Sequence, residues 1–187
     1  MKQLDDIIKG CISRKREYQA KLYKLYAKKM FGVCVLYTKD YTEAEDVVQD
    51  GFVKIFQNIK QFNNSGSFEG WMRRIMVNTA LEKYRKQHRL YAVNDIEPYI
   101  NDISYGDVID KLSAADLMKL IQELSPQYRI VFTLYAIEGY PHKEIAVKLG
   151  ISEGTSKSNL SRARNILKNK VEKHYYYERR QSNRQII

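Results

Sequence analysis

The chain has 187 residues, with 32 Lys and Arg against 22 Asp and Glu, a formal net charge of +10 and an isoelectric point near 9.4. That balance favours a polyanionic partner, nucleic acid ahead of an anionic membrane, and the length suits two small helical domains with limited cores. The longest apolar run, residues 30–37, falls far short of the roughly 20 residues of a membrane span. The charges at Asp5 and Asp6 interrupt any secretory leader, so a cytoplasmic protein is expected.

Cys11 and Cys34 stand alone and His88, His142 and His174 are scattered, so no metal site is expected. Three Pro, nine Gly and long stretches of 3.6-residue periodicity predict an all-α protein. Leu22, Leu25, Tyr26, Met30 and Val33 form a stripe through residues 14–37, readable as one long helix or two interrupted near Gly32. Thr42 then reads as an N-cap with Glu45 three positions on, opening a helix to about Ile59. Its apolar side is Val48, Phe52, Ile55, Phe56 and Ile59. Residues 40–50 hold five acidic residues and no basic one, which suits either a basic protein partner or the dipole at a helix start.

Residues 63–67, NNSGS, form a loop by composition, and Ser67 is placed to cap the helix from Phe68 to about His88. Between Trp71 and Leu90 lie six Lys or Arg and one acidic residue, with Trp71 and Tyr84 interleaved, a mixture suited to unpaired bases and also consistent with a solvated basic face. Residues 93–116 carry six acidic and one basic residue with Pro98 and Gly106, and read as an interdomain linker. A helix over 112–124 follows. Ser125-Pro126 caps the next, which runs to Gly139.

The segment PHKEIAVKLGISEGTSKSNLSRARNILK, residues 141–168, spells two helices around a glycine turn. Ile145, Ala146 and Leu149 are the apolar positions of the first, and Gly150 supplies the turn. Ser152 caps the second, in which Leu160, Ala163, Leu167 and Val171 point inward. Ser158, Ser161, Arg162 and Asn165 then point outward, where hydroxyls, amides and guanidinium suit a DNA major groove. The polar, basic tail from His174 is expected to fray.

Four blocks in order, AEDVVQDGFVKIF (44–56), GSFEGWMRRIMVN (66–78), LSPQYRIVF (124–132) and the helix-turn-helix, resemble the extracytoplasmic-function (ECF) sigma factors of the sigma-70 family, in the minimal form with regions 2 and 4 only. The resemblance covers residues 18–170. It implies an all-α protein of two small helical domains joined by an acidic linker: region 2 over 1–92, linker 93–111, a region 4 helix-turn-helix over 112–173, and a tail over 174–187. It implies that Asp46, Gln49, Asp50, Phe52 and Phe56 dock on the clamp helices of the largest subunit of core RNA polymerase. It implies that Asn63, Asn64, Ser65, Phe68, Trp71, Arg73, Arg74, Asn78 and Arg85 open and hold the minus-ten element, with a flipped base in the loop. Thr155, Lys157, Ser158, Asn159, Ser161 and Arg162 would meet the minus-thirty-five element. An anti-sigma protein is a further implied partner.

Three positions depart from the family's common pattern: Ser156 stands where an apolar residue is usual, Asn159 where arginine is common, and Glu82 where aspartate is frequent. An amide at 159 would favour adenine over guanine. No catalytic constellation or cofactor motif is present in the sequence, so a non-catalytic specificity subunit is expected rather than an enzyme. The competing reading is a free-standing regulator that binds a palindrome as a symmetric dimer.

Overall fold

The computed structural model describes residues 2–88 and 114–184, and the side chains of 3–87 and 115–173. It divides into two compact units, Met1–Ala92 and Val93–Ile187. No strand occurs among the described residues, and no helix among them is long and apolar enough to cross a membrane. The acidic segment 93–111 lies outside the described residues.

The first unit is built from α1 (Lys2–Ile12), α2 (Arg16–Val35), α3 (Tyr41–Asn58), a 3-10 turn (Ile59–Gln61) and α4 (Phe68–His88). Arg14, at φ 55°, turns the corner from α1 to α2, and Lys15 N–H donates to the Gly10 carbonyl at 3.1 Å. α2 runs unbroken through Gly32. That position is exposed, so glycine costs helix propensity of about 1 kcal/mol without causing an interruption. Leu22, Met30, Cys34, Val47, Ile55, Ile59, Met72 and Met76 fill the core between α2, α3 and α4.

The start of α3 differs from the sequence expectation. Its N-cap is Asp40, whose Oδ1 accepts the Glu43 N–H at 2.8 Å, while Glu43 Oε2 accepts the Lys39 N–H at 2.8 Å. Thr42 lies in the first turn and Glu45 just beyond it, both exposed. Glu43 is the better box partner because its other oxygen also accepts from Gln87 Nε2 at 2.7 Å, tying α3 to the end of α4.

The second unit holds α5 (Ala114–Gln122), α6 (Pro126–Phe132), a wide π turn (Thr133–Ile137), α7 (His142–Leu149) and α8 (Glu153–Arg184). Arg129 is buried because Nη1 satisfies carbonyls left open where α5 ends, those of Gln122 at 2.9 Å and Leu124 at 3.4 Å. Ser125 occupies the N-cap of α6 without a side-chain capping bond; Pro126 opens that helix. In the π turn the Glu138 N–H donates to the Thr133 carbonyl, five residues back, at 3.0 Å.

Gly150 takes the left-handed conformation at φ 71°, and the N–H groups of Gly150 and Ile151 both donate to the Ala146 carbonyl, at 2.8 and 3.1 Å. Ser152 Oγ accepts the Thr155 N–H at 3.0 Å and so opens α8. Leu160, Ala163, Leu167 and Val171 are buried on the inner face of α8 against Ile121, Ile130, Leu134 and Ile145. The backbone stays helical to Arg184, past the expected end of the domain at 173. The tail's Glu, Arg and Gln are good helix formers, and polarity alone does not stop a helix.

Candidate nucleic-acid and partner surfaces

The loop 63–67 is held at both ends by short polar side chains. Asn63 Oδ1 accepts the Ser65 N–H at 3.1 Å, Asn64 takes a left-handed φ of 59°, and Ser67 Oγ accepts the Gly70 N–H at 3.0 Å. Asn63, Asn64 and Ser65 are therefore exposed on a shaped loop. Beneath it lies an aromatic cluster: Phe68 is stacked on Trp71 at 5.6 Å and 25°, and Phe62 meets Phe68 edge-on at 5.0 Å.

Phe68 is only 5% exposed, so in the free chain it is a core residue. As the first residue of α4 it points back between Tyr26, Phe62 and Trp71, and it supports the platform without presenting a face to a base. Trp71 keeps a half-exposed edge. Arg74, Asn78 and Arg85 are exposed and fall within about 40° of one another around α4. Arg73 is half-buried and lies off that strip.

On α3, Asp46, Gln49 and Asp50 are exposed. Lys83 Nζ donates to Asp46 Oδ2 at 3.1 Å, so one acidic group of this edge is already engaged by α4. Asp50 forms no ion pair among the described residues. Lys54 Nζ bonds Glu82 at 2.7 Å and Lys86 reaches the same carboxylate at 3.1 Å. These hydrogen bonds, from Lys54 first and then Lys86, hold the Glu82 carboxyl down to about 2. Glu82, the third departure from the common pattern, therefore works as an interhelix tie.

Phe52 is 3% exposed, its ring 4.7 Å from Tyr23 and 5.9 Å from Phe56, so in the free chain it packs inward. The apolar spacing of Val48, Phe52, Ile55 and Ile59 already directs it inward. Phe56 is half-buried. The sequence reading missed Val53, which is 54% exposed beside this acidic edge. Its signal was an apolar residue one position off the stripe.

In the second unit Lys157 is exposed and paired with Glu153 at 2.8 Å, a bond that lowers the Glu153 carboxyl below its ordinary range. Thr155 and Ser158 are half-exposed; Ser158 Oγ donates to the Thr155 carbonyl at 3.0 Å. Ser161 and Arg162 are half-exposed too, and Arg162 Nη1 donates to Tyr128 Oη at 3.4 Å. Thr155, Lys157, Ser158, Ser161 and Arg162 thus line one side of the first turns of α8.

Asn159 does not join them. It is 2% exposed, and its Nδ2 has no partner among the described residues. Position 159 falls one turn before Ala163 on the face that carries Leu160 and Leu167, so its amide lies inside the motif and no base preference follows from it. Ser156, on the same face, is wholly buried, and its Oγ lies 2.9 Å from His142 Nδ1.

Two family models match the chain in order: "Sigma-70 region 2" over residues 22–90 and "Sigma-70, region 4" over residues 114–167. Similar curated proteins include the ECF RNA polymerase sigma factor SigE of Mycolicibacterium smegmatis, 28% identical over 158 residues, covering 82% of this chain and 61% of that protein. The RNA polymerase sigma-H factor of Pseudomonas aeruginosa is 28% identical over 154 residues, 76% of this chain and 80% of its own length. The ECF RNA polymerase sigma factor SigW of Bacillus subtilis is 26% identical over 164 residues, 81% and 88% of the two chains. Among solved structures, the sigma factor RpoE in complex with the anti-sigma factor NepR from Bartonella quintana aligns over 82% of this chain and 96% of that one, at 25% identity and a TM-score of 0.47.

Proposed function

The chain belongs to the sigma-70 family, and we propose that it acts as an ECF-type sigma factor that binds core RNA polymerase, recognises a promoter and melts it to start transcription of a particular gene set. The observation that carries this reading is the occurrence in one chain of two surfaces that suit nucleic acid in different ways. One is an exposed, shaped loop on an aromatic platform with the strip Arg74, Asn78 and Arg85. The other is a helix-turn-helix whose second helix exposes Lys157, Ser158, Ser161 and Arg162. The first suits a splayed single strand, where bases stack and phosphates pair with cations. The second suits duplex DNA read through the major groove.

Asp46, Gln49 and Asp50, with the exposed Val53 at one end, form the surface for core polymerase, acidic with a small apolar patch, and complementary to basic helices of the largest subunit. In this reading the chain supplies positioning and strand capture while the polymerase supplies the chemistry, so the protein itself is not a catalyst and takes no cofactor. An anti-sigma protein would inhibit it by covering these same surfaces.

Purified protein added to sigma-free core polymerase on a library of genomic promoter fragments tests the proposal. Initiation that requires both proteins, at a shared two-part sequence, is the expected result. Absence of initiation together with tight binding of the protein alone to a palindrome would replace it with the dimeric regulator.

A further inference from the structure

Ser156 and His142 are bonded at 2.9 Å, and the His142 ring stacks on Tyr135 of the π turn at 4.6 Å and 22°. The Arg164 guanidinium lies 5.6 Å from the centroid of that same Tyr135 ring. The contacts leave α8 at Arg164, cross the π turn and the first residue of α7, and return to α8 at Ser156. Those two anchors are eight positions apart (164 − 156), about 12 Å or two turns along the helix. We propose that this His142–Ser156 latch fixes the rotation of α8 about its own axis, making His142 and Ser156 positioning residues for recognition of duplex promoter DNA. The inference rests on reading the outward side of α8 as the DNA-facing side.

Ser156 is 0% exposed at a position where the helix otherwise buries apolar groups, so its hydroxyl depends on His142 for a partner. An apolar side chain there would leave α8 free to settle by packing alone, whereas a directional bond admits a narrow range of rotation. Ser156 stands between Thr155 and Lys157 and two residues before Ser158, so a rotation of α8 moves these three outward groups together. His142 is itself fixed from its other side by the Tyr135 stack.

The charged groups around His142 are Lys143 and Glu144 following it on α7, and Glu153, Lys157 and Arg164 on α8; Tyr135 faces it from the π turn. Desolvation, and then the nearby Lys157 and Arg164 cations, hold the imidazole below its ordinary value, while Glu153 opposes them. The folded chain thus favours the neutral ring, and the bond to Ser156 is set by the geometry of the two side chains.

The test uses holoenzyme reconstituted from core polymerase and the full chain, titrated onto a duplex promoter fragment obtained from the transcription library and onto the same fragment with its upstream element scrambled. The melting temperature of each free variant is recorded in parallel. Ser156→Ala and His142→Ala are each expected to reduce the preference for the intact upstream element about fivefold, and the double variant no further than either alone. Ser156→Thr, which keeps the hydroxyl, should retain most of the preference.

Losses that multiply in the double variant, or that fall equally on the scrambled fragment, would overturn the latch. So would a loss seen only in variants whose melting temperature collapses. A wild-type holoenzyme indifferent to the upstream element would refute the underlying reading of α8, and the latch with it.

Discussion

Gly51 on α3 and Met76 on α4 meet where no side-chain carbon fits: a Cβ built on Gly51 would lie 2.2 Å from the Met76 sulfur and 2.9 Å from its terminal methyl. Met76 is itself wholly buried, so its flexible chain has nowhere to retreat. Gly51→Ala is expected to destabilise the chain by roughly 1–3 kcal/mol through overpacking, read as a lower urea midpoint in the first transition of the full chain. An unchanged midpoint would show that the two helices separate at little cost.

Asp50→Lys reverses a charge on the exposed edge of α3 without removing an ion pair among the described residues. It should weaken competition for core polymerase by about tenfold or more while leaving the melting temperature within a few degrees. Asp46→Asn should have a smaller effect, because Lys83 already shares that carboxylate. Equal effects at the two positions would mean that the Lys83 bond does not persist in the complex.

Asn159 and Arg162 make opposite predictions although they lie three residues apart. Arg162→Ala, on the outward side of α8, should cost about 1–3 kcal/mol of upstream-element recognition and leave core binding intact. Asn159→Leu replaces a buried amide whose Nδ2 has no partner among the described residues; it should raise stability by about 1 kcal/mol and leave base preference unchanged. A changed base preference in Asn159→Leu would place that side chain at the DNA after all.

Burial pushes the Cys34 thiol up to about 12 and the Cys11 thiol above its ordinary range. Both should resist a thiol reagent at neutral pH in the folded chain and react at the rate of unfolding. Rapid labelling of Cys34 under native conditions would show that the α2 core opens far more often than its packing implies.

His142 gives a pH dependence of stability with a definite sign. Its imidazole is held below the ordinary 6.5, so the folded state favours the neutral ring. The associated stability is fully present above 6.5 and is lost as pH falls through the lowered value. Thermal melts of the wild type should therefore drop on acidification through that window more than melts of His142→Gln, and parallel curves would refute the assignment.

Much of the fold was legible in the sequence because periodicity, glycine and caps carry local information. The inward set Leu160, Ala163, Leu167 and Val171, the left-handed Gly150 and the caps Ser152 and Ser67 could all be placed from spacing alone. For Phe52, Phe68 and Asn159, family resemblance reports alignment position, while burial follows from neighbours on other helices. For Phe52 and Asn159 the helical wheel already pointed inward. Asp40 and Glu43 have the same three-residue spacing as Thr42 and Glu45, so spacing left two frames open, and what favours Glu43 includes a bond from Gln87, 44 residues away in sequence. The latch was hidden because neither His142 nor Ser156 signals the other.

The π turn at Thr133–Ile137 holds one residue more than an α-helical path would need, and that surplus sets where Tyr135 stands. A single deletion inside it would restore regular helix and cost little intrinsic stability, yet it would swing everything downstream by about 100° and part Tyr135 from His142. A one-residue gap at this point, in a chain otherwise alignable with this one, would thus mark a helix-turn-helix whose recognition helix is aimed by other means.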